Sequence, residues 1–164
     1  MARISFSIDS DLPSDTVLDV ATDFSENRLR YWPNIDPKVY EVHSKSAISA
    51  DVTEGSALLG GIWAREAYDW SEPNTVRATV KDSNVFQASG TWQLRVTPRP
   101  DAGCHIEVLN HRQARGIKGH LVGAMLTLMG PSLLPKQFQQ TLDIVAREKN
   151  SGMHPAPKRL VEEM

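Results

Sequence analysis

The stretch WAREAYDW, residues 63 to 70, sets Ala64, Glu66, Tyr68 and Trp70 at alternate positions. In a β-strand alternate side chains share a face, so a carboxylate is aimed to the same side as two aromatic rings. A second strand-like stretch, CHIEVLNHR, puts Asn110 and Arg112 on the face of Ile106 and Val108. Moving a charge from water into an apolar interior costs several kcal/mol unless it is paired, solvated or neutralised. Two explanations stand side by side. These residues lie near strand ends, or beyond a bulge at Gly60-Gly61, and meet water. Alternatively, the face lines a partly hydrated cavity whose few polar groups orient a ligand. In that case Glu66 and Arg112 make an acid/base or carbonyl-polarising pair. Burial raises such a carboxyl and a nearby guanidinium lowers it again, a combination suited to proton transfer beside a polarised carbonyl. A buried structural ion pair is the plain alternative, and in either case the Tyr68 hydroxyl is free to bond a ligand oxygen.

Other chemistry finds little support. His105 and His111 share the outer parity with Glu107, and no His/carboxylate group has zinc-ligand spacing. EGSALLGG lacks the Gly-Lys-Ser/Thr ending of a phosphate loop. Ser56 and Cys104 have no base partner in sequence, and a single cysteine excludes an internal disulfide or a multi-cysteine metal site. No cofactor and no metal are therefore expected. With 40% hydrophobic and 23% charged residues, a net charge of −2 and a pI near 6.2, the chain has no general attraction to nucleic acid or anionic membrane. Basic residues in RQARGIKGH belong to a solvated loop or touch an anionic headgroup at a cavity mouth. No apolar run approaches the ~18–20 residues of a membrane span, and MARISFSIDSD is not a secretory signal. The 164 residues read as one cytoplasmic domain over 1–148, with a loosely held tail over 149–164.

The elements that must position these residues follow from periodicity. Ile4, Phe6 and Ile8 alternate with polar residues in an opening strand. Val17, Leu18, Ala21 and Phe24 recur at helical steps after Pro13-Ser14, and a second short helix spans about Ser25 to Tyr31, capped by Ser25 and stopped by Pro33. From Lys38 to Ala114 the chain reads as antiparallel strands: KVYEVHSK, AISADVT, IWAREAYDW, TVRATVKDS, FQASGTWQLRVT and CHIEVLNHRQA. Their apolar members, Tyr40, Val42, Ile48, Ala50, Val52, Val76, Ala78, Val80, Phe86, Ala88, Trp92, Leu94 and Val96 among them, mark the inner face. Leu121, Met125, Leu128, Leu134, Phe138, Leu142 and Val145 form the stripe of a long last helix, which Gly130-Pro131 and Pro135 are expected to kink or divide.

This order, with YWPNI after the second helix, then GGIWAREAYDWSEPNTVRATVKDSNVFQASGTWQL, then NHRQARGIKGHL entering the last helix, resembles the START-like superfamily of birch-pollen-allergen-type proteins and polyketide cyclases/dehydrases, most of all its bacterial members. The resemblance covers about residues 1–148. It implies an α+β helix-grip fold, a curved antiparallel sheet of about seven strands wrapped around a long C-terminal helix, with a cavity between them. It further implies that Trp32, Glu66, Tyr68, Trp70, Trp92, Asn110, Arg112, Met125 and Met129 face a small hydrophobic or aromatic molecule, polyketide- or lipid-like. The tryptophans and Tyr68 equally read as core packing and the methionines as gap-fillers. Catalytic cyclases of the superfamily tend to carry a basic residue on the inner face of the central strand. Here Glu66 stands there and Arg65 points outward, which favours a binding protein over a cyclase/dehydratase using Glu66 and Arg112. A membrane-docking lipid-transfer protein is the third reading, weakened because no basic or exposed apolar patch is legible. The expected partner is the small molecule, with no nucleic acid, no stable membrane insertion, and homodimerisation left open.

Overall fold

The alternation of apolar and polar residues carries through into extended backbone along most of the chain. A computed structural model describes residues 2–152. Its elements run β1 (Ala2–Ser10), α1 (Ser14–Ala21), α2 (Asn27–Tyr31), β2 (Glu41–Lys45), β3 (Ser49–Ser56), β4 (Ile62–Asp69), β5 (Thr75–Ser83), β6 (Thr91–Pro98), β7 (Cys104–Arg112) and α3 (Gly116–Asn150). The strands form one antiparallel sheet in the order β1-β7-β6-β5-β4-β3-β2. Every connection from β2 to β7 is a short hairpin, whereas α1 and α2 carry the chain from one sheet edge to the other. This is the expected helix-grip arrangement. The tail past residue 152 lies outside the described residues.

The inner face buries Ala50, Val52, Ala64, Tyr68, Val76, Ala78, Val80, Leu94, Val96, Ile106 and Val108. Against it pack Val17, Val20, Ala21 and Phe24 from α1 and its exit, and Phe138, Leu142 and Val145 from the C-terminal half of α3. Burying each of the valine, leucine, isoleucine and phenylalanine side chains among these contributes roughly 1.5–3 kcal/mol. A smaller cluster of Val80, Val85, Phe86 and Val122, with Ile62 and Leu126, holds the N-terminal half of α3.

Several local expectations are corrected. β2 is an edge strand with no buried face, Tyr40 precedes it, and Ile48 is exposed in the following turn. Phe86 is buried but makes only an isolated bridge to Ala114, while Ala88 lies exposed in the turn before β6. The bulge near Glu66 is not at Gly60-Gly61, which instead close a 3₁₀ turn with positive φ values of 78° and 109°. It lies in β5, where Arg65 pairs with Asp82 but Glu66 pairs with Val80, leaving Lys81 extra. The parity flip therefore falls on β5, turning Ser83 inward, and leaves Glu66 on the inner face.

α3 runs as one unbroken helix through Pro131 and Pro135, so no division into two helices occurs. Each proline removes one backbone donor, but the hydrogen bonds on either side keep the helix continuous. Its inward stripe is also different from the one expected. Gly119, Val122 and Gly130 are buried, whereas Leu121, Leu128 and Met129 are exposed. Most residues from Ile117 to Leu134 are apolar or small, so spacing alone selects more than one face. Close approach selects the true one: a Cβ on Gly119 would collide with the Val85 carbonyl, and one on Gly130 with Ile4 Cδ1. Gly119→Ala should therefore destabilise the fold by about 1–3 kcal/mol through overpacking, outweighing the ~1 kcal/mol by which alanine favours a helix. Urea unfolding checks this, and a stabilised variant would remove the close-approach argument.

Candidate functional site

Glu66 is 4% exposed, a carboxylate sealed between β3 and β5 on the concave side of the sheet. Arg112 at the end of β7 crosses that concavity and forms an ion pair with it. The two residues singled out in sequence thus meet, although β5 and β6 separate their strands. The Tyr68 hydroxyl stands 3.2 Å from Glu66 Oε2 and 2.9 Å from Glu54 Oε2, and donates to either carboxylate. Glu54 in turn pairs with Arg28 of α2. Arg28 Nη1 donates to the Ala21 carbonyl at 3.1 Å and Nη2 to the Tyr68 hydroxyl at 3.4 Å. The result is one chain, Arg112–Glu66–Tyr68–Glu54–Arg28, whose acidic and basic members balance in formal charge.

Electrostatics follow from that enclosure. Burial pushes the Glu66 carboxyl above its ordinary value, although Arg112 pulls in the opposite direction. Burial, then the Glu54 and Glu66 charges, raise the Tyr68 phenol well above the usual range, so it remains a protonated donor. Burial works against the Arg28 cation, but the Glu54 charge and hydrogen bond, with Tyr68 and Tyr40 beside it, together offset that cost and the guanidinium stays charged. Its Cζ lies 4.3 Å from the Phe24 ring centroid and 5.5 Å from those of Trp32 and Tyr68. Stacking of this kind contributes about 2 kcal/mol when desolvated.

Arg28 and Glu54 were not read from sequence. Glu54 carries the same even parity as Ala50 and Val52, so extending that strand by one residue past Thr53 would have flagged it. Arg28, on a five-residue helix, has no such signal. Trp70 packs on Phe24 with ring centroids 5.9 Å apart and donates its indole N–H to the Ala47 carbonyl at 2.9 Å. Trp92 and Asn110 oppose one another across β6 and β7, both half-buried. Trp32 packs edge-on to Phe138, with centroids 5.5 Å apart. Met125 is half-buried, while Met129 is 55% exposed and stands outside the enclosed interior. Arg65 points outward to Asp51 at 2.8 Å. Among the described residues no three His, Cys, Asp or Glu side chains converge as metal ligands.

The expected partly hydrated cavity is not observed. Between α1, Trp32 and α3 lies an enclosed void of about 10 Å³, lined by Leu12, Val17, Val20, Trp32, Phe138, Thr141, Leu142 and Val145. That is about one water molecule. The Arg28 guanidinium and its surrounding rings fill space that a wider cavity would need. A larger depression of about 260 Å³ lies on the polar outer side of α3, around Gln139 and Asp143, and shares no residue with the buried chain. Among the described residues three buried side-chain nitrogens lack partners: Trp32 Nε1, His111 Nε2 and Arg112 Nε.

If the Glu66–Arg112 pair is a structural strut, Glu66→Gln should cost about 3–5 kcal/mol by stranding a buried guanidinium. The double variant Glu66→Leu/Arg112→Met should recover most of that loss. Equilibrium denaturation of both decides it, and a single variant within about 1 kcal/mol of the parent would reject the strut.

Comparison with known proteins agrees with this architecture. Residues 1–148 match the family described as polyketide cyclase / dehydrase and lipid transport. No curated protein matches in sequence. Among solved structures, the chain is similar to TTHA0849 from Thermus thermophilus, at 15% identity and a TM-score of 0.69 over 89% of this chain and 97% of that one. It is similar to the Zhui aromatase/cyclase from Streptomyces sp. R1128, at 12% identity and a TM-score of 0.70 over 92% and 96%. It is also similar to human STARD10, at 12% identity and a TM-score of 0.65 over 94% and 73%. These identities speak to the fold, and the START-like sheet wrapped on a long helix is shared by all three. The chain is a member of the polyketide cyclase/dehydrase and lipid transport family.

Proposed function

We propose that the protein binds a small hydrophobic or aromatic molecule between α1, Trp32 and the C-terminal half of α3, without catalysing a reaction on it. The observation that carries this reading is the Trp32 indole N–H, buried without a partner on a residue that lines an otherwise apolar void. An unpaired buried donor costs about 1–3 kcal/mol, and a ligand oxygen that accepts from it recovers that cost. The Thr141 hydroxyl, at the same wall, already donates to the Gln137 carbonyl at 3.4 Å and adds an acceptor lone pair. The apolar lining supplies the rest of the affinity. Admission of such a ligand requires α1 or α3 to move outward, because the void holds about one water.

The measurement is titration of the purified protein with a hydroxylated anthraquinone, followed by tryptophan fluorescence, alongside native mass spectrometry for co-purified material. Trp32→Phe, which removes the stranded donor but keeps an aromatic ring against Phe138, should weaken binding about tenfold while the fold is retained by circular dichroism. Equal affinity in parent and variant would remove Trp32 from the site.

A second reading, a polyketide cyclase/dehydratase, is favoured by one observation. Glu66, its carboxyl raised by burial, stands within hydrogen-bond reach of the Tyr68 hydroxyl and against Arg112. That reading needs the strut to open toward substrate. It predicts about a hundredfold loss or more of poly-β-ketone cyclisation in Glu66→Asp, in which the charge is kept but the reach shortened, with ligand affinity within a few-fold of the parent. Cyclisation at the uncatalysed rate by the parent protein would eliminate it.

A further inference from the structure

The N-terminal half of α3 turns an apolar face away from the fold. Ile117 is 92% exposed, Leu121 58% and Leu128 82%. With Ala124, also exposed, they fall within about 60° of one line on a helix that advances ~100° per residue. This outward stripe lies away from the buried side that carries Val122 and Leu126. Leu58 and Leu59, both about half exposed, project from the 3₁₀ turn between β3 and β4. Lys118 Nζ donates to the Gly61 carbonyl at 2.6 Å, tying that turn to the start of α3. A monomer rarely leaves so many large aliphatic side chains together in water. By length and composition α3 also meets the requirement for a membrane span, contrary to the reading of the sequence, and only 17% of its most apolar window is buried. Its inward side nevertheless packs into both hydrophobic clusters, so it is a helix with one face in the fold and one unpartnered.

Charge decides what fits that face. From residue 108 to 142 the sequence has no Asp or Glu, yet it holds Arg112, Arg115, Lys118 and Lys136, in a chain whose net charge is −2. Arg112 is consumed by Glu66, and Arg115 leans on Asp82 at 3.3 Å. Lys118 and Lys136 both stand about 100° to one side of the apolar stripe, the first at its start and the second about two turns past Leu128. Two copies brought face to face would oppose cation to cation, whereas an anionic surface satisfies both lysines while the aliphatic side chains enter the acyl boundary. We infer that the outer face of α3, with the Leu58–Leu59 turn, docks on the surface of an anionic lipid bilayer. The helix lies in the interface plane rather than crossing it.

The test is co-sedimentation of the full chain with vesicles of phosphatidylcholine alone and of phosphatidylcholine mixed with phosphatidylglycerol, at low and high salt. Binding should appear with the anionic vesicles and weaken at high salt. Leu121→Ser/Leu128→Ser should reduce it about tenfold or more, with circular dichroism and melting temperature unchanged because both side chains are exposed. Lys136→Gln, at a lysine with no ion-pair partner among the described residues, should weaken it a few-fold. Absence of binding to anionic vesicles at low salt overturns the inference, as does equal binding by the double serine variant. A lipid-free dimer in analytical ultracentrifugation that the same variant dissociates also overturns it, assigning the face to a second copy. Soluble ligand titration is independent of this outcome, so failure here leaves the binding reading intact, and the converse holds.

Discussion

Two arginines and two glutamates share an apolar interior, and the fold can close only because their charges are arranged in contact. Any one of them alone would cost several kcal/mol, and together they neutralise one another along the concave face. Tyr68 joins the halves, its hydroxyl accepting from Arg28 and facing both Glu54 and Glu66. The chain of contacts ties β7, β4 and β3 to α2, the elements that surround the interior. It therefore fastens α2 and the end of α1 to that part of the sheet, through Arg28. Exchange of any member is felt by the others, because each is the counter-charge or hydrogen-bond partner of the next.

The same arrangement explains why the interior is tight. A guanidinium in a box of Phe24, Trp32 and Tyr68 takes up volume beside the sheet and is itself held by Glu54. What space remains is displaced toward α1 and α3, where the lining is largely aliphatic and the Trp32 indole supplies a lone unpaired donor. Polar strut and apolar void are thus adjacent but distinct. A chemistry that used Glu66 would have to dismantle the first, whereas a ligand that used Trp32 would only have to enlarge the second.

α3 serves two environments. Its C-terminal half is amphipathic in the ordinary sense, with Phe138, Leu142 and Val145 inward and Lys136, Gln139, Asp143 and Arg147 turned toward the outer depression. Its N-terminal half is less ordinary: Gly119 and Gly130 face inward beside Val122 and Leu126, while Ile117, Leu121 and Leu128 face outward. Small residues inside let the helix sit close on Val85 and Ile4, and large ones outside have no intramolecular reason to be there. Pro131 and Pro135 stand where the two halves join, and the helix passes them without ending.

Alternation in the sequence determined that the chain is a meander of antiparallel strands with an acid on the inner face at Glu66, because side-chain direction in a strand is a local, period-two property. The turn residues and the helical spacing around Val17 and Phe138 determined the order of elements in the same way. The family-typical stretches extended that local reading to the helix-grip architecture. Tertiary structure alone decided who partners whom. Glu66 meets Arg112 across 46 residues of sequence, and Glu54 meets Arg28 across 26, through approaches that no period records. It also decided which face of α3 is buried. Where most residues are apolar or small, spacing is ambiguous, and the choice falls to the steric fit of Gly119 and Gly130 against the sheet. The volume of the interior was settled by the same kind of fit, since the size of a void depends on how side chains from distant elements interlock rather than on their identities alone.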